Sequence, residues 1–334
     1  MAPKLFITGQ HPDLTLALLV RSEDKAEQVR AKYPNARIVL GSLDDSDIIR
    51  RAAAWADIVL HTADSSDHEN SAKAIAAGLA EGHFTSRTGY SLHVGGTGIL
   101  TYLDSEVKKT FGEPDVKVFN DLEGVDELVN LPDAAFHCNI DNIVLETGTK
   151  YADRVKTAII CPPSMYGTGR GPVSGRGRQV YELTSFIIKQ KFCPRIGRGL
   201  ARWNNVHVYD LSNIIGLLTE AALDASGSRG DESEIWGPRG YFLTENGEHT
   251  WGELAVQIGR EVLKQGLADG DLEAKEWSMD EALKSPAGFD AASWGMNSRA
   301  KALRAKKVLG WQPAQHGLVD EIPSIVKSEA ARLG

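Results

Sequence analysis

An α/β fold, a doubly wound parallel sheet with helices on both faces, is what the sequence predicts, and three observations predict it. Short β-rich runs, KLFIT, TLALLV, ARIVL, DIVLH, YSLHV and VKTAIICPP, alternate with amphipathic stretches through the first half, which is the pattern of parallel strands joined by crossover helices. The cores of two of these runs, IVL and AII, are apolar at every position, so both faces of those strands need cover. The 334 residues are 42% hydrophobic and 25% charged, enough to bury one large core or two smaller ones.

The elements follow in order. Residues 4–8 run apolar into a glycine, and residues 15–20 form the next strand. Residues 22–33 (SEDKAEQVRAKY) open with a serine cap and an acidic first turn, and residues 45–56 repeat the device; both are expected to be crossover helices. After Pro163 the regular winding breaks into YGTGRGPVSGRGRQ, which holds five glycines and three arginines in fourteen residues. Helices are expected over 180–191, 210–224 and 250–265. The last third, with GYFLTEN and Gly310-Trp311-Gln312-Pro313, reads as a smaller mixed α/β lobe. The expected division is a nucleotide-binding type of domain over 1–165, with 201–235 returning to it, and a substrate lobe from 166–200 and 236–334. No internal repeat or low-complexity segment interrupts it.

Composition narrows the function classes. A net charge of −8, with basic residues scattered along the chain, lacks the footprint of a nucleic-acid binder, so the expected partner is a small molecule. No apolar run approaches the ~20 residues of a membrane span and no secretory segment is evident, which makes the cytoplasm the expected compartment. Cys138, Cys161 and Cys193 are odd in number and widely separated; buried thiols are expected, with neither a disulfide framework nor a metal site.

The order and spacing of seven landmarks carry a family resemblance: FITG after the first strand, LVRS after the second, GSLDD after the third, HTADSSD after the fourth, HVGGTG after the fifth, CPPSMYGTGRGP after the sixth and WNNVHVYDL before a late helix. Together they resemble the extended short-chain dehydrogenase/reductases, the NAD(P)-dependent epimerase/dehydratase-like group with a Rossmann-like fold, over nearly the whole chain. The resemblance implies a dinucleotide beyond the carboxyl ends of the strands. It implies cofactor contacts from Gly9, Arg21, Ser42, Leu43, Asp44, His61, Thr62, Ala63, Pro162 and Tyr166. Arg21, where an acid would hold the ribose 2′-OH, suits a 2′-phosphate and favours NADP over NAD. Ser42 stands where the family places an acid toward the adenine, with Asp44 two residues on. A homodimer is common in the family.

The catalytic pattern departs from the family. None of the eight tyrosines has lysine four residues later, so the pair that would deliver a proton at a hydride-receiving carbon is absent. The segment DAAFHCNIDNIVLETG (133–148) is expected to be the helix that would carry it, with Asp133, His137 and Asp141 spaced four apart on one face. His137 is then a candidate proton relay beside a carboxylate such as Asp133, and Thr97, in VGGTG, the hydroxyl that polarises a substrate oxygen. Arg170, Arg176 and Arg178 are candidates for a phosphorylated or nucleotide-linked substrate. His207 and Asp210 resemble residues that dock the lobe on the core, and Trp203 is expected at that interface.

The first crossover departs further. The family's glycine-rich phosphate loop and first helix have no room here: six residues from Gly9 to Leu14 span at most ~20 Å, whereas a parallel crossover takes at least ~10–12 residues. The expected function is therefore an oxidoreductase or epimerase-like activity on a CH–OH, carbonyl or sugar-nucleotide substrate. The alternatives are a cofactor-reading regulator and an incomplete enzyme.

Overall fold

The computed structural model describes residues 4–6, 14–224 and 232–334. Seven strands form the main sheet: β1 Lys4–Phe6, β2 Thr15–Val20, β3 Arg37–Leu40, β4 Ile58–His61, β5 Gly89–Val94, β6 Val155–Cys161 and β7 Tyr241–Leu243. Every pairing is parallel, and the spatial order is β7-β6-β5-β4-β1-β2-β3. The order reverses at β1, so the sheet is doubly wound as expected. β1 and β2 pair directly, Lys4 opposite Thr15; Gly9 and the short crossover lie outside the described residues.

The strand residues sort by parity. Leu16, Leu18, Ile58, Leu60, Leu92 and Val94 enter a core on one face, while Ala17 and Val59 enter a second core on the other with Ile49, Ala53, Ile75 and Leu79. Side chains of successive strand residues point to opposite faces, so two apolar layers follow directly from the unbroken apolar runs. The helices α1 Glu23–Lys32 and α2 Ser46–Trp55 match the expected crossovers, and α3 Glu69–Gly82 follows β4. Helices α2 and α3 touch backbone to side: a β-carbon at Gly78 would lie 2.2 Å from the Arg50 carbonyl oxygen, and one at Gly82 the same distance from that of Ala54.

Later helices are α4 Cys138–Lys150, α5 Gln179–Gln190, α6 Val208–Leu223, α7 Trp251–Lys264 and α8 Leu318–Leu333. α5, α7 and α8 build the lobe's own core with Trp203, Trp251 and Trp294. Residues 236–334 do not all belong to that lobe, however. Tyr241–Leu243 is the edge strand of the main sheet, and Ala300, Ala302, Ala305 and Trp311 lie in its core. Asp121 fastens this return: its carboxylate accepts hydrogen bonds from the backbone N–H of Leu243, Leu303 and Arg304 at 2.7–2.9 Å. Residues 297–309 hold a two-residue strand, Ala300–Lys301, and a short helix, Arg304–Val308. Asp210 ties α6 to the segment that precedes α8, accepting from the Ala314 and Gln315 backbone and, through its own carbonyl, from the Trp311 indole.

Candidate functional site

A cleft of about 340 Å³ opens beyond the carboxyl ends of β4, β5 and β6, between core and lobe. Its floor is the glycine run Gly95-Gly96-Thr97-Gly98, and its walls come from Ser66 and Asp67 after β4, Phe136 and His137 before α4, Pro162 and Pro163 after β6, and lobe residues around Arg178 and Phe289. Ligands of doubly wound sheets bind at this place.

His137 is the best-defined group in it. Helix α4 begins only at Cys138, and His137 is its N-cap in the left-handed region with φ 73°, a conformation that costs a non-glycine residue about 1–2 kcal/mol. The imidazole Nδ1 lies 2.9 Å from the Ser66 carbonyl oxygen and 3.0 Å from Asp67 Oδ1. Both neighbours only accept, so Nδ1 carries the proton and Nε2 is left as the working nitrogen. Nε2 faces the glycine floor: a β-carbon at Gly98 would sit 3.3 Å from it and one at Gly96 3.9 Å. The Asp67 carboxyl is held below the usual carboxylate range, chiefly by the hydrogen bond from His137, with the Arg178 guanidinium assisting.

Thr97 lies beside it, 1% exposed, at the start of a short 3₁₀ turn. Its backbone is fully used, N–H to the Pro162 carbonyl at 2.9 Å and carbonyl from Ser298 Oγ at 2.6 Å. Its Oγ1 is buried without a partner, which is costly unless something else supplies one. The other threonine of the floor, Thr101, spends its hydroxyl on the Gly98 carbonyl at 2.7 Å.

Beneath the floor lies a buried polar pocket. Asp141 Oδ2 accepts from the Tyr241 hydroxyl at 2.9 Å, and Cys161 Sγ lies 3.4 Å from the same hydroxyl. Asp141 Oδ1 is unpaired and would be 3.2 Å from a β-carbon at Gly95. Burial pushes the Asp141 carboxyl up to about 6 and raises the Cys161 thiol and the Tyr241 phenol. All three cysteines are free and buried, as expected.

Several expected site residues fall elsewhere. Asp133 is exposed in the turn before α4, because the chain is not helical until Cys138; it does not share a face with His137, and the carboxylate beside that imidazole is Asp67. Tyr166 is 1% exposed in the lobe core, its hydroxyl donating to the His316 carbonyl at 2.7 Å; it does not reach the cleft. Arg176 is consumed by Glu182 and Glu329, 2.6 and 2.7 Å away, and ties the glycine-rich loop to α8. Arg170 is exposed and lies over the Tyr209 ring, 4.1 Å from its centroid. Of the three arginines only Arg178 lines the cleft, with its Nε 3.0 Å from Asp290 Oδ1. Asp67, Phe136 and Phe289 were missed. Asp67 lies in the HTADSSD landmark, but its pairing with His137 joins segments too far apart in sequence for any spacing rule.

The expected cofactor contacts lie where the strands end. Arg21 is exposed directly after β2. Ser42 turns its N–H and hydroxyl onto Asp45 at 2.6 and 3.1 Å, and Asp44 meets His68 Nε2 at 3.1 Å; Leu43 packs toward the α2–α3 core. His61 is buried against His93 and Ser71, and burial lowers its imidazole to about 4. His61 is not among the residues that line the cleft; after it Thr62 is half-buried and Ala63 exposed. Pro162 lines the cleft. The residues present fit a dinucleotide at these strand ends in two respects: an orphaned Thr97 hydroxyl and a glycine floor with room above it. Among the described residues one trio has metal-ligating geometry, His207, His316 and Glu321, with ligand atoms within 4.8 Å of one another. There Glu321 already holds His316 at 2.5 Å, at the junction of α8 with the core.

No protein-family model matches the chain. The chain is 39% identical over 330 residues, 97% of its length and 92% of the relative's, to a protein named oxidase ucsJ from Acremonium sp.. Its fold is similar to UDP-glucose 4-epimerase from Thermotoga maritima, described with UDP-glucose, at TM-score 0.59 and 14% identity over 96% of this chain and 92% of that one. It is also similar to the dTDP-glucose 4,6-dehydratase DesIV from Streptomyces venezuelae, described with NAD bound, at TM-score 0.61 and 15% identity over 95% and 88%. PbgP3 from Burkholderia pseudomallei superposes at TM-score 0.63 and 12% identity over 100% and 98%. With this sheet order, this cleft and a relative matched along almost its entire length, the chain belongs to the family of the oxidase ucsJ, within the extended short-chain dehydrogenase/reductase fold.

Proposed function

We propose that the protein is an NAD(P)-dependent oxidoreductase that acts on a CH–OH or carbonyl carbon, with His137 in place of the family's tyrosine as the proton-transferring group. The observation that carries this reading is the locked tautomer: Ser66 and Asp67 hold the proton on Nδ1, which leaves Nε2 open at the glycine floor. Bound NAD(P) supplies the hydride acceptor or donor. In the oxidative direction Nε2 takes the hydroxyl proton as the carbon gives up its hydride, and Asp67 stabilises the imidazolium that forms. In the reductive direction the same imidazolium returns the proton to the oxygen. Thr97 Oγ1 donates to that oxygen, which satisfies the hydroxyl left without a protein partner. Arg21 at the end of β2 supports NADP as the preferred cofactor.

The relative's name, oxidase, and the NAD described with DesIV support this reading. The test is a thermal-shift titration with NADPH and NADH, followed by a scan of alcohols, aldehydes and ketones for cofactor turnover. A rise in Tm with NADPH and turnover lost in His137→Gln is the expected result. Absence of the Tyr-x-x-x-Lys pair favours a second reading, a cofactor-binding regulator; it predicts the same rise in Tm without turnover on any substrate.

A further inference from the structure

We infer that the substrate is an apolar, ring-bearing alcohol or carbonyl compound, and not a nucleotide-linked sugar. The inference rests on the oxidoreductase reading for the word substrate, but its physical basis is the lining of the cleft alone. Two carboxylates, Asp67 and Asp290, face a single guanidinium, Arg178, so with His137 neutral the cleft carries a net charge of −1. Arg178 is moreover engaged by Asp290 at 3.0 Å, and Arg170 and Arg176 are directed elsewhere. A diphosphate would enter against net negative charge with no unpaired cation among the lining residues to receive it.

The apolar side of the cleft is in the opposite state. Phe136 is 41% exposed, Phe289 56% and Met165 37%, and all three line it together with Trp203. Large apolar side chains grouped in a concave site and left in water mark a binding surface. Phe136 comes from the core and Phe289 from the lobe, and their rings meet at 5.2 Å between centroids, tilted by 54°, as an aromatic jaw in the cleft lining. The ring of Phe136 also lies against that of His137, with centroids 3.6 Å apart and planes tilted by 39°. A ring seated on the jaw is therefore presented directly to Nε2 and Thr97, and the polar end of such a molecule needs only one oxygen.

The test is saturation-transfer NMR on the full chain with three probes: 4-phenyl-2-butanone, UDP-glucose and glucose. The expected result is saturation transfer to the ketone, strongest at its ring protons, and none to either sugar. Phe289→Ala is expected to raise the Kd for the ketone at least tenfold, while Phe289→Leu, which keeps an apolar side chain, stays within about threefold. Tighter binding of UDP-glucose than of the ketone, no transfer to the ketone at millimolar concentration, or ketone binding indifferent to Phe289→Ala would each overturn the inference. Binding is read without turnover, so a ketone that binds with this dependence but is never oxidised or reduced leaves the inference standing and removes the oxidoreductase reading instead.

Discussion

The two halves of the sheet's carboxyl edge are built differently. Beyond β2 and β3 the polar groups are in water and satisfied locally: Ser42 by Asp45, Asp44 by His68. Beyond β4, β5 and β6 they are shielded and incompletely satisfied, with Thr97 Oγ1 and Asp141 Oδ1 buried unpaired and His137 held in a left-handed backbone. Polar groups are left in that state only where surrounding structure over-determines them. On the proposed reading, cofactor selection falls to the first half and the chemistry to the second.

The sharpest way to break this contrast is at His137. His137→Gln is expected to lower kcat by about 10²–10⁴-fold, measured by cofactor absorbance, with the fold intact by circular dichroism. Asp67→Asn is expected to cost less, because an amide can accommodate the opposite tautomer but the Ser66 carbonyl still selects the Nδ1 proton. Next comes Gly98→Ala: its methyl group would lie 3.3 Å from His137 Nε2 and 3.4 Å from the Phe136 ring, so kcat should fall while Tm moves little. A Gly98→Ala enzyme with unchanged kcat would show that Nε2 has no role at the floor.

Stability should respond to pH in a way that reports on the same buried groups. The buried Asp141 carboxyl sits at about 6 in the folded chain, above its unfolded value near 3.9. The folded state therefore holds a proton that the unfolded state has lost, and this group's contribution to stability declines as pH rises from about 4 to about 6. Asp141→Asn removes the decline, so the Tm of the variant relative to the parent should improve steadily across that window. His61 and His249 act in the opposite sense: burial lowers them to about 4 and about 3, and their stabilisation, complete above pH 6.5, is lost as pH falls through that range. Parent Tm is accordingly expected to drop between pH 6.5 and 4, more steeply in Asp141→Asn. On the exposed half the effects should be smallest. Arg21→Ala is expected to raise KM for NADPH about threefold to tenfold, consistent with an exposed ion pair, leaving KM for NADH unchanged.

Most of the fold was legible because it follows from short-range rules. The unbroken apolar runs IVL and AII called for cover on both faces of the sheet, and serine or aspartate before an acidic turn marked α1 and α2. The edge strand Tyr241–Leu243 was not legible as part of the sheet, since nothing local distinguishes a three-residue apolar strand of the core from one of the lobe. The site was half legible. Of the expected site residues, Thr97, His137, Arg178 and Pro162 line the cleft, the first and last of them from landmark segments. Asp133 failed because helical spacing was extended across a left-handed residue that ends it, and Arg176 because a basic loop does not announce the acids, Glu182 and Glu329, waiting for it on other elements.

The return of residues 241–243 and 300–313 to the main sheet has a consequence for how the molecule is made. Strand β6 is left with a bare edge until residues 241–243 have been synthesised, and the buried Asp121 carboxylate gains its full set of donors only with Arg304. The sheet built by the first 165 residues is thus completed only by segments that follow them. An exposed, apolar parallel edge is a hazard for wrong pairing, and throughout translation this one waits for a partner encoded some eighty residues downstream of it.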